Sequence, residues 1–153
     1  MNDRIGVENF ENKTAFNKFR RSLFVNAKRL RGYPAVKIGR LAVRKNDSRK
    51  GYGSIILDFI KMMLVSERTS ACRFIVVDAY KDAIQFYEKN GFSILSAGES
   101  RSRTCLMYFD LMELCYLLKA AYIAKKRKKG KEKPEKFSIF TELFTLSISR
   151  YED

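Results

Sequence analysis

The stretch that most constrains this chain runs from Val36 to Leu57, VKIGRLAVRKNDSRKGYGSIIL. Its apolar run, Ile38 to Val43, reads as a strand that is buried or nearly so. A polar cluster, Arg44 to Lys50, ends that strand, and Gly51 and Gly53 then open a helical pattern. Strand, glycine-bearing turn and helix in succession leave backbone N–H groups without intrahelical partners at an end where the helix dipole is positive. Such an end binds anions. Glycine tolerates the unusual dihedrals of the turn and leaves room for a phosphate to approach the backbone. Arg49 and Lys50 add full charge beside it. The turn is therefore a candidate phosphate site, although the same spacing also serves as a plain tight connection. It is not the dinucleotide fingerprint, whose third glycine would fall where Ile56 stands, nor a P-loop, since Gly-Lys-Ser/Thr is absent.

Composition narrows the chemistry. The chain has 153 residues, one domain's worth, and 46% of them are hydrophobic, which suits a globular core. No apolar run is long enough to span a bilayer and the first residues do not read as a signal peptide, so no membrane partner is expected. Cys72, Cys105 and Cys115, an odd number without CxxC spacing, point to reduced thiols and a cytoplasmic location. There is no histidine. That removes His-based triads, the commonest general base and most zinc sites, and no metal is expected.

Charge is segregated. The net charge is +14; the segment from Lys13 to Lys50 carries +12, the segment from Lys125 to Lys136 carries +6, and the remainder is net acidic by four. Uneven positive charge of this kind attracts polyanions over about a Debye length, and a nucleic acid is the expected partner.

In chain order, Arg4 to Val7 reads as a short strand. Phe16, Phe19, Leu23, Phe24, Ala27 and Leu30 then recur at helical spacing, with Thr14 at the N-cap and Gly32 and Pro34 as the stop. Residues 53 to 67 read as a helix with Ile56, Phe59, Ile60, Met63 and Leu64 inward. Cys72 to Asp78 reads as a second buried strand. Lys81 to Asn90 reads as a short helix, with Ala83, Phe86 and Tyr87 inward and Asn90-Gly91 as its stop. Phe92 to Leu95 and Thr104 to Leu111 read as further strands. Alternating strands and helices imply an α/β domain with at least one parallel pair. Met112 to Ala124 reads as a helix with a basic end, 130 to 136 as a basic linker, and 137 to 149 as helix or strand.

Two motifs in this order resemble the GCN5-related N-acetyltransferase (GNAT) superfamily, over roughly Tyr33 to Leu111. Ser48-Arg49-Lys50-Gly51-Tyr52-Gly53 is similar to the family's Q/R-x-x-G-x-G/A, with Ser48 at the Q/R position. Val76-Val77-Asp78-Ala79, with Phe86-Tyr87-Glu88-Lys89-Asn90-Gly91-Phe92 after it, is similar to the strand and the A-x-x-x-Y-x-x-x-G-F helix. The resemblance implies a GNAT-like mixed sheet flanked by helices. It also implies acetyl-coenzyme A as the acetyl donor, its pyrophosphate on the N–H groups of Arg49, Lys50, Gly51, Tyr52, Gly53 and Ser54. Leu41 and Val43 would bond the pantetheine arm through their main chain, with the Val43 N–H as oxyanion donor and Tyr87 as the acid toward the departing thiolate.

The wording Tyr33-Pro34, Gly39-Arg40-Leu41-Ala42-Val43 and Phe86-Tyr87 looks like the toxins of bacterial toxin–antitoxin pairs, which acetylate the amine of aminoacyl-tRNA. The resemblance thereby implies tRNA, an antitoxin and a second copy of the chain as partners. Basic residues expected on the nucleic acid are Arg20, Arg21, Lys28, Arg29, Arg31, Arg40 and Arg44. Only some 35 residues precede the opening strand, fewer than the family places there, so an N-terminally truncated GNAT domain is expected. The expected layout is a strand remnant and basic helix over 1–32, the acetyl-coenzyme A core over 33–111 and a basic helical extension over 112–153. Two further readings stay open: a non-catalytic GNAT remnant that binds RNA or a protein, and an enzyme acting on a small amine.

Overall fold

The computed structural model describes residues 2–23, 30–66, 72–96 and 103–129. The chain divides into two compact units interleaved in sequence, one of residues 1–40 and 71–110, the other of 41–70 and 111–153.

The first unit holds a five-stranded sheet: β1 (Asn2–Gly6), β2 (Gly32–Ile38), β3 (Phe74–Tyr80), β4 (Ser93–Ser96) and β5 (Thr104–Asp110). Their order is β1-β2-β3-β5-β4, with β2 and β3 parallel and every other pair antiparallel. The expected mixed α/β class, with a parallel pair, is what the chain adopts. Two helices belong to this unit, α1 (Lys13–Leu23) and α3 (Ile84–Lys89).

One face of the sheet forms an aromatic core. Ile5, Tyr33, Ala35, Phe74, Val76 and Leu95 are buried there with Phe16 of α1, and Phe10, Phe19, Leu23, Leu106 and Tyr108 pack against them. Phe16, Phe19 and Leu23 recur at helical spacing, so α1 turns a single face to this cluster. The Asn12 side chain caps α1 by accepting the Ala15 N–H at 2.8 Å. This corrects the expectation of Thr14: an asparagine two positions earlier already presents both its carbonyl and its amide oxygen to the first turn. The predicted continuation of α1 through Phe24 and Ala27 lies outside the described residues. Gly32, expected as the helix stop, opens β2 instead.

The far end of α1 is fastened by one arginine. Arg73 Nη2 donates to the Leu23 carbonyl at 3.0 Å and to Asp110 Oδ2 at 2.6 Å, while its Nε donates to Asp110 Oδ1 at 3.0 Å. Asp110 is buried, so the bidentate pair is a charge partnership in a low-dielectric place.

The opening strand differs from its prediction. Ile38 to Val43 was expected as the strand; β2 instead ends at Ile38, and residues 39–44 carry no regular structure. Pairing with β1 stops at Val36 and pairing with β3 stops at Ile38, where the chain reaches Gly39 and leaves the ladder; a glycine has no side chain to pack and weakens a strand. β3 itself runs on through Asp78, Ala79 and Tyr80, paired with β5 alone.

The second unit holds a 3-10 turn (Lys45–Asp47), α2 (Tyr52–Ser66) and α4 (Leu111–Lys129), and the two helices pack together. The expected inward stripe of α2 is also corrected. Ile56 and Phe59 are 38% and 47% exposed, while Leu57, Lys61 and Met62 are buried. The helix is apolar on most of its faces, so periodicity does not single one out. Among the described residues no helix is long and apolar enough to cross a membrane.

Candidate functional site

The glycine turn lies in the second unit. After the 3-10 turn, Ser48 closes back on it: its N–H and its hydroxyl both donate to the Lys45 carbonyl, at 3.3 and 2.8 Å. Ser48 therefore shapes the entry to the turn from the position where the motif has Gln or Arg. Arg49 and Gly51 both take left-handed backbone, φ 66° and φ 81°. A non-glycine residue held there is strained, and the alternation of hands directs successive N–H groups toward one side, as in an anion-binding nest.

The Gly51 carbonyl starts α2 by accepting the N–H groups of Ser54 and Ile55 at 3.0 and 3.1 Å. The N–H groups of Arg49, Lys50, Gly51, Tyr52 and Gly53 donate to no main-chain carbonyl among the described residues. Five consecutive donors thus surround the positive end of α2. Ser54, expected as a sixth, spends its N–H inside the first turn. The Lys50 ammonium is held by Asp47 Oδ1 at 3.0 Å, which leaves Arg49 as the exposed charge of the turn. Just upstream, Leu41 and Val43 are half-buried and Ala42 is exposed, in a segment whose main chain joins no ladder. Among the described residues the N–H and C=O groups of Leu41, Ala42 and Val43 make no main-chain bond.

Tyr87 lies in the first unit, and its motif is a helix stop. Gly91 has φ 79°; its N–H donates to the Glu88 carbonyl at 2.9 Å and the Phe92 N–H donates to the Tyr87 carbonyl at 3.0 Å. That pair of bonds is a Schellman motif, with Gly91 at C′ and Phe92 at C″. The hydrophobic contact that accompanies the motif is here Phe92 on Tyr87, ring centroids 5.5 Å apart, and Phe86 flanks Tyr87 at 5.2 Å. Tyr, Gly and Phe at this spacing are therefore one device that fixes a phenol. Tyr87 is buried, and burial pushes its pKa above the usual 10.0, so the phenol keeps its proton at neutral pH.

Charged residues that sequence reasoning missed stand on the α1 face of the sheet. Lys37 Nζ lies 2.8 Å from Asp78 Oδ2 and 3.7 Å from Asp3 Oδ2, joining β1, β2 and β3. The hydrogen bond to Asp78 is the main cause that raises the Lys37 pKa, so Lys37 is charged at neutral pH. A signal did exist: Phe74, Val76 and Asp78 alternate along one face of a strand.

Of the basic residues expected on a nucleic acid, Arg21, Arg31, Arg40 and Arg44 are exposed, and Lys28 and Arg29 lie outside the described residues. Arg20 differs. It is half-buried with its Nε shielded from water, and its charge bears on the buried Tyr33 hydroxyl.

The uncommitted N–H run that opens α2 and the Schellman-held Tyr87 fall on the two motifs that carry the resemblance to the GNAT superfamily. The acetyltransferase (GNAT) domain model matches residues 19–94, about half of the chain, which include both motifs, and the chain belongs to the GNAT superfamily. A solved bacterial toxin shares the fold, with a TM-score of 0.58 at 19% identity over 78% of this chain and 61% of that one. The solved KacTA–DNA complex gives a TM-score of 0.48 at 23% identity, over 61% of this chain and 57% of that one. The chain thus spans about three fifths of the length of these structures. Among curated proteins none matches the sequence significantly.

Proposed function

We propose that this protein transfers the acetyl group of acetyl-coenzyme A to the primary amine of an aminoacyl-tRNA, as the toxin of a toxin–antitoxin pair in the cytoplasm. The observation that carries the proposal is the run of five uncommitted N–H groups from Arg49 to Gly53, a cradle suited to a pyrophosphate. Leu41 and Val43 bond the pantetheine arm through their main chain. The Val43 N–H meets the charge that develops on the acetyl oxygen, an effect worth about 3 kcal/mol when a single donor of this kind is removed.

The amine attacks the thioester carbon, the C–N bond forms as the nitrogen gives up one proton to solvent, and the C–S bond breaks. Tyr87 gives its proton to the departing thiolate and recovers one from solvent. A buried phenol suits that task, because it is protonated at every physiological pH. The preference for an aminoacyl-tRNA over a small amine rests on the segregated positive charge, since a tRNA substrate needs its phosphates neutralised. An antitoxin and a second copy of the chain are the protein partners in this reading.

Two measurements test it. Titration calorimetry with acetyl-coenzyme A should give saturable heat; an absence of heat together with no thermal protection removes the donor and the reading. Tyr87→Phe should then keep acetyl-coenzyme A binding and lose transfer by about a hundredfold or more, the usual worth of a general acid. A Tyr87→Phe variant that transfers at the parent's rate removes the acid assignment. Salt-dependent tRNA binding without any transfer would instead identify a binding module.

A further inference from the structure

The Asp3–Lys37–Asp78 row is the one net-negative grouping the described residues place across the central strands of a chain whose net charge is +14. It sits where the sheet changes character. β2 and β3 pair through Ile38 and Val77, and Asp78 is the first residue of β3 beyond that pairing. From Asp78 onward the side of β3 that faced β2 has no ladder partner. Side chains at 74, 76 and 78 share one face, because Phe74 and Val76 belong to the α1-side core and strands alternate. The Tyr87 device belongs to the other face: Phe92, which holds Tyr87, stacks 5.6 Å from Phe109, and Phe109 alternates with the α1-side Tyr108.

The carboxylate of Asp78 and the phenol of Tyr87 thus serve opposite faces of one sheet, at a place where two parallel strands stop pairing. An acetyl transfer uses two such groups, one for the arriving amine and one for the departing thiolate. Asp78 is equipped to meet the arriving group. Its side chain is 46% exposed, and among the described residues its ionic partner is the Lys37 ammonium, which Asp3 steadies from the far strand. The β5 neighbour of Asp78 is Leu106, and the flanking residues of β5 on that face, Thr104 and Tyr108, are not cations.

Resting on the acetyltransferase reading above, we propose that Asp78 receives the ammonium group of the acceptor and takes its first proton, with Lys37 as the positioning residue that holds the carboxylate. The substrate class this fits is a polyanion ending in one ammonium, drawn in by the basic faces and stopped at the Asp3–Lys37–Asp78 row. The balance closes. The ammonium yields one proton to Asp78, which passes it to solvent. The neutral amine then forms the C–N bond, and its second proton goes to solvent. Tyr87 protonates the thiolate and is reprotonated from solvent, so an ammonium and a thioester become an amide, a thiol and one free proton.

The test uses the full chain, radiolabelled acetyl-coenzyme A, and total tRNA charged with a mixture of amino acids. Asp78→Asn should lower kcat/KM about a hundredfold near neutral pH while the affinity for acetyl-coenzyme A stays as in the parent. The deficit should shrink above about pH 8, where an α-amine arrives already neutral. Asp78→Glu should recover part of the rate, and Lys37→Arg should recover what Lys37→Met loses. An Asp78→Asn variant with the parent's kcat/KM, or with a loss that is the same at every pH, overturns the role of Asp78 and leaves the acetyltransferase reading standing. A parent that binds no acetyl-coenzyme A brings down that reading first, and this assignment with it.

Discussion

At Gly91 the backbone has no alternative to glycine. Its φ of 79° is left-handed, and a Cβ built there would lie 3.2 Å from Phe109 Cε2. Gly91→Ala should therefore cost about 1–2 kcal/mol for the dihedral alone, read as a lower denaturation midpoint, and more if Phe109 cannot yield. Arg73→Met should cost more, about 3 kcal/mol, because Asp110 would keep its burial and lose its bidentate partner while the Leu23 carbonyl loses a donor. Arg73→Met as stable as the parent under urea titration would show that the pair is not what fastens α1. These two sites also mark the limit of sequence reading. The Gly91 stop was legible because every partner lies within five residues. Arg73 and Asp110 are 37 residues apart, as Lys37 and Asp78 are distant in sequence, and no local pattern announces which charges a fold brings together. The same holds for Arg20, which reads as a surface cation yet is half-buried, with its Nε out of water and its charge bearing on Tyr33.

Helix existence was legible from periodicity, while the buried face of α2 was not, and Lys61 is the residue that exposes the difference. Its side chain is 7% exposed and its ammonium lies 3.2 Å from Asp58 one turn earlier. Desolvation, only partly offset by Asp58, pulls the Lys61 pKa below its usual 10.5. A lysine whose folded pKa lies below its unfolded value weakens the fold wherever it is charged in both states. The loss is relieved as pH rises through the folded pKa toward the unfolded 10.5. Lys61→Met fills the same volume without the charge, and it should stabilise the protein at neutral pH by about 1 kcal/mol. The variant should also lack the parent's alkaline gain when thermal midpoints are compared from neutral pH up to the unfolded value of 10.5. A destabilised Lys61→Met would mean that the ammonium is worth more to its partners than its desolvation costs. The opening strand teaches the complementary lesson. Apolar residues 38–43 looked like a strand because side-chain hydrophobicity was the only signal, but a strand exists only where its ladder is made, and the pairing ends at Ile38 although β3 runs on.

Across the whole chain, the segregation of charge was read correctly from the sequence, since it needs no fold, whereas the share of that charge free to meet a polyanion depends on burial. Arg21, Arg31, Arg40, Arg44 and Arg49 are exposed and form no ion pair among the described residues, Lys50 is tied to Asp47, and Arg20 is half-buried. Each exposed cation that neutralises a phosphate releases counterions, so the affinity for RNA should fall with salt along a log–log slope of about 0.7–0.9 per contact. If those five arginines all engage, the slope for uncharged tRNA should be about −4 in filter binding between low and physiological salt. Arg44→Ala and Arg49→Ala should each flatten that slope by somewhat less than one and weaken binding to all tRNAs alike, because phosphate contacts position without reading sequence. Arg20→Ala should leave the slope alone and lower the melting temperature instead. Binding that ignores salt would detach the basic faces from nucleic acid altogether, and would leave a GNAT domain whose acceptor is a small amine, for which the net-negative Asp3–Lys37–Asp78 row is attraction enough.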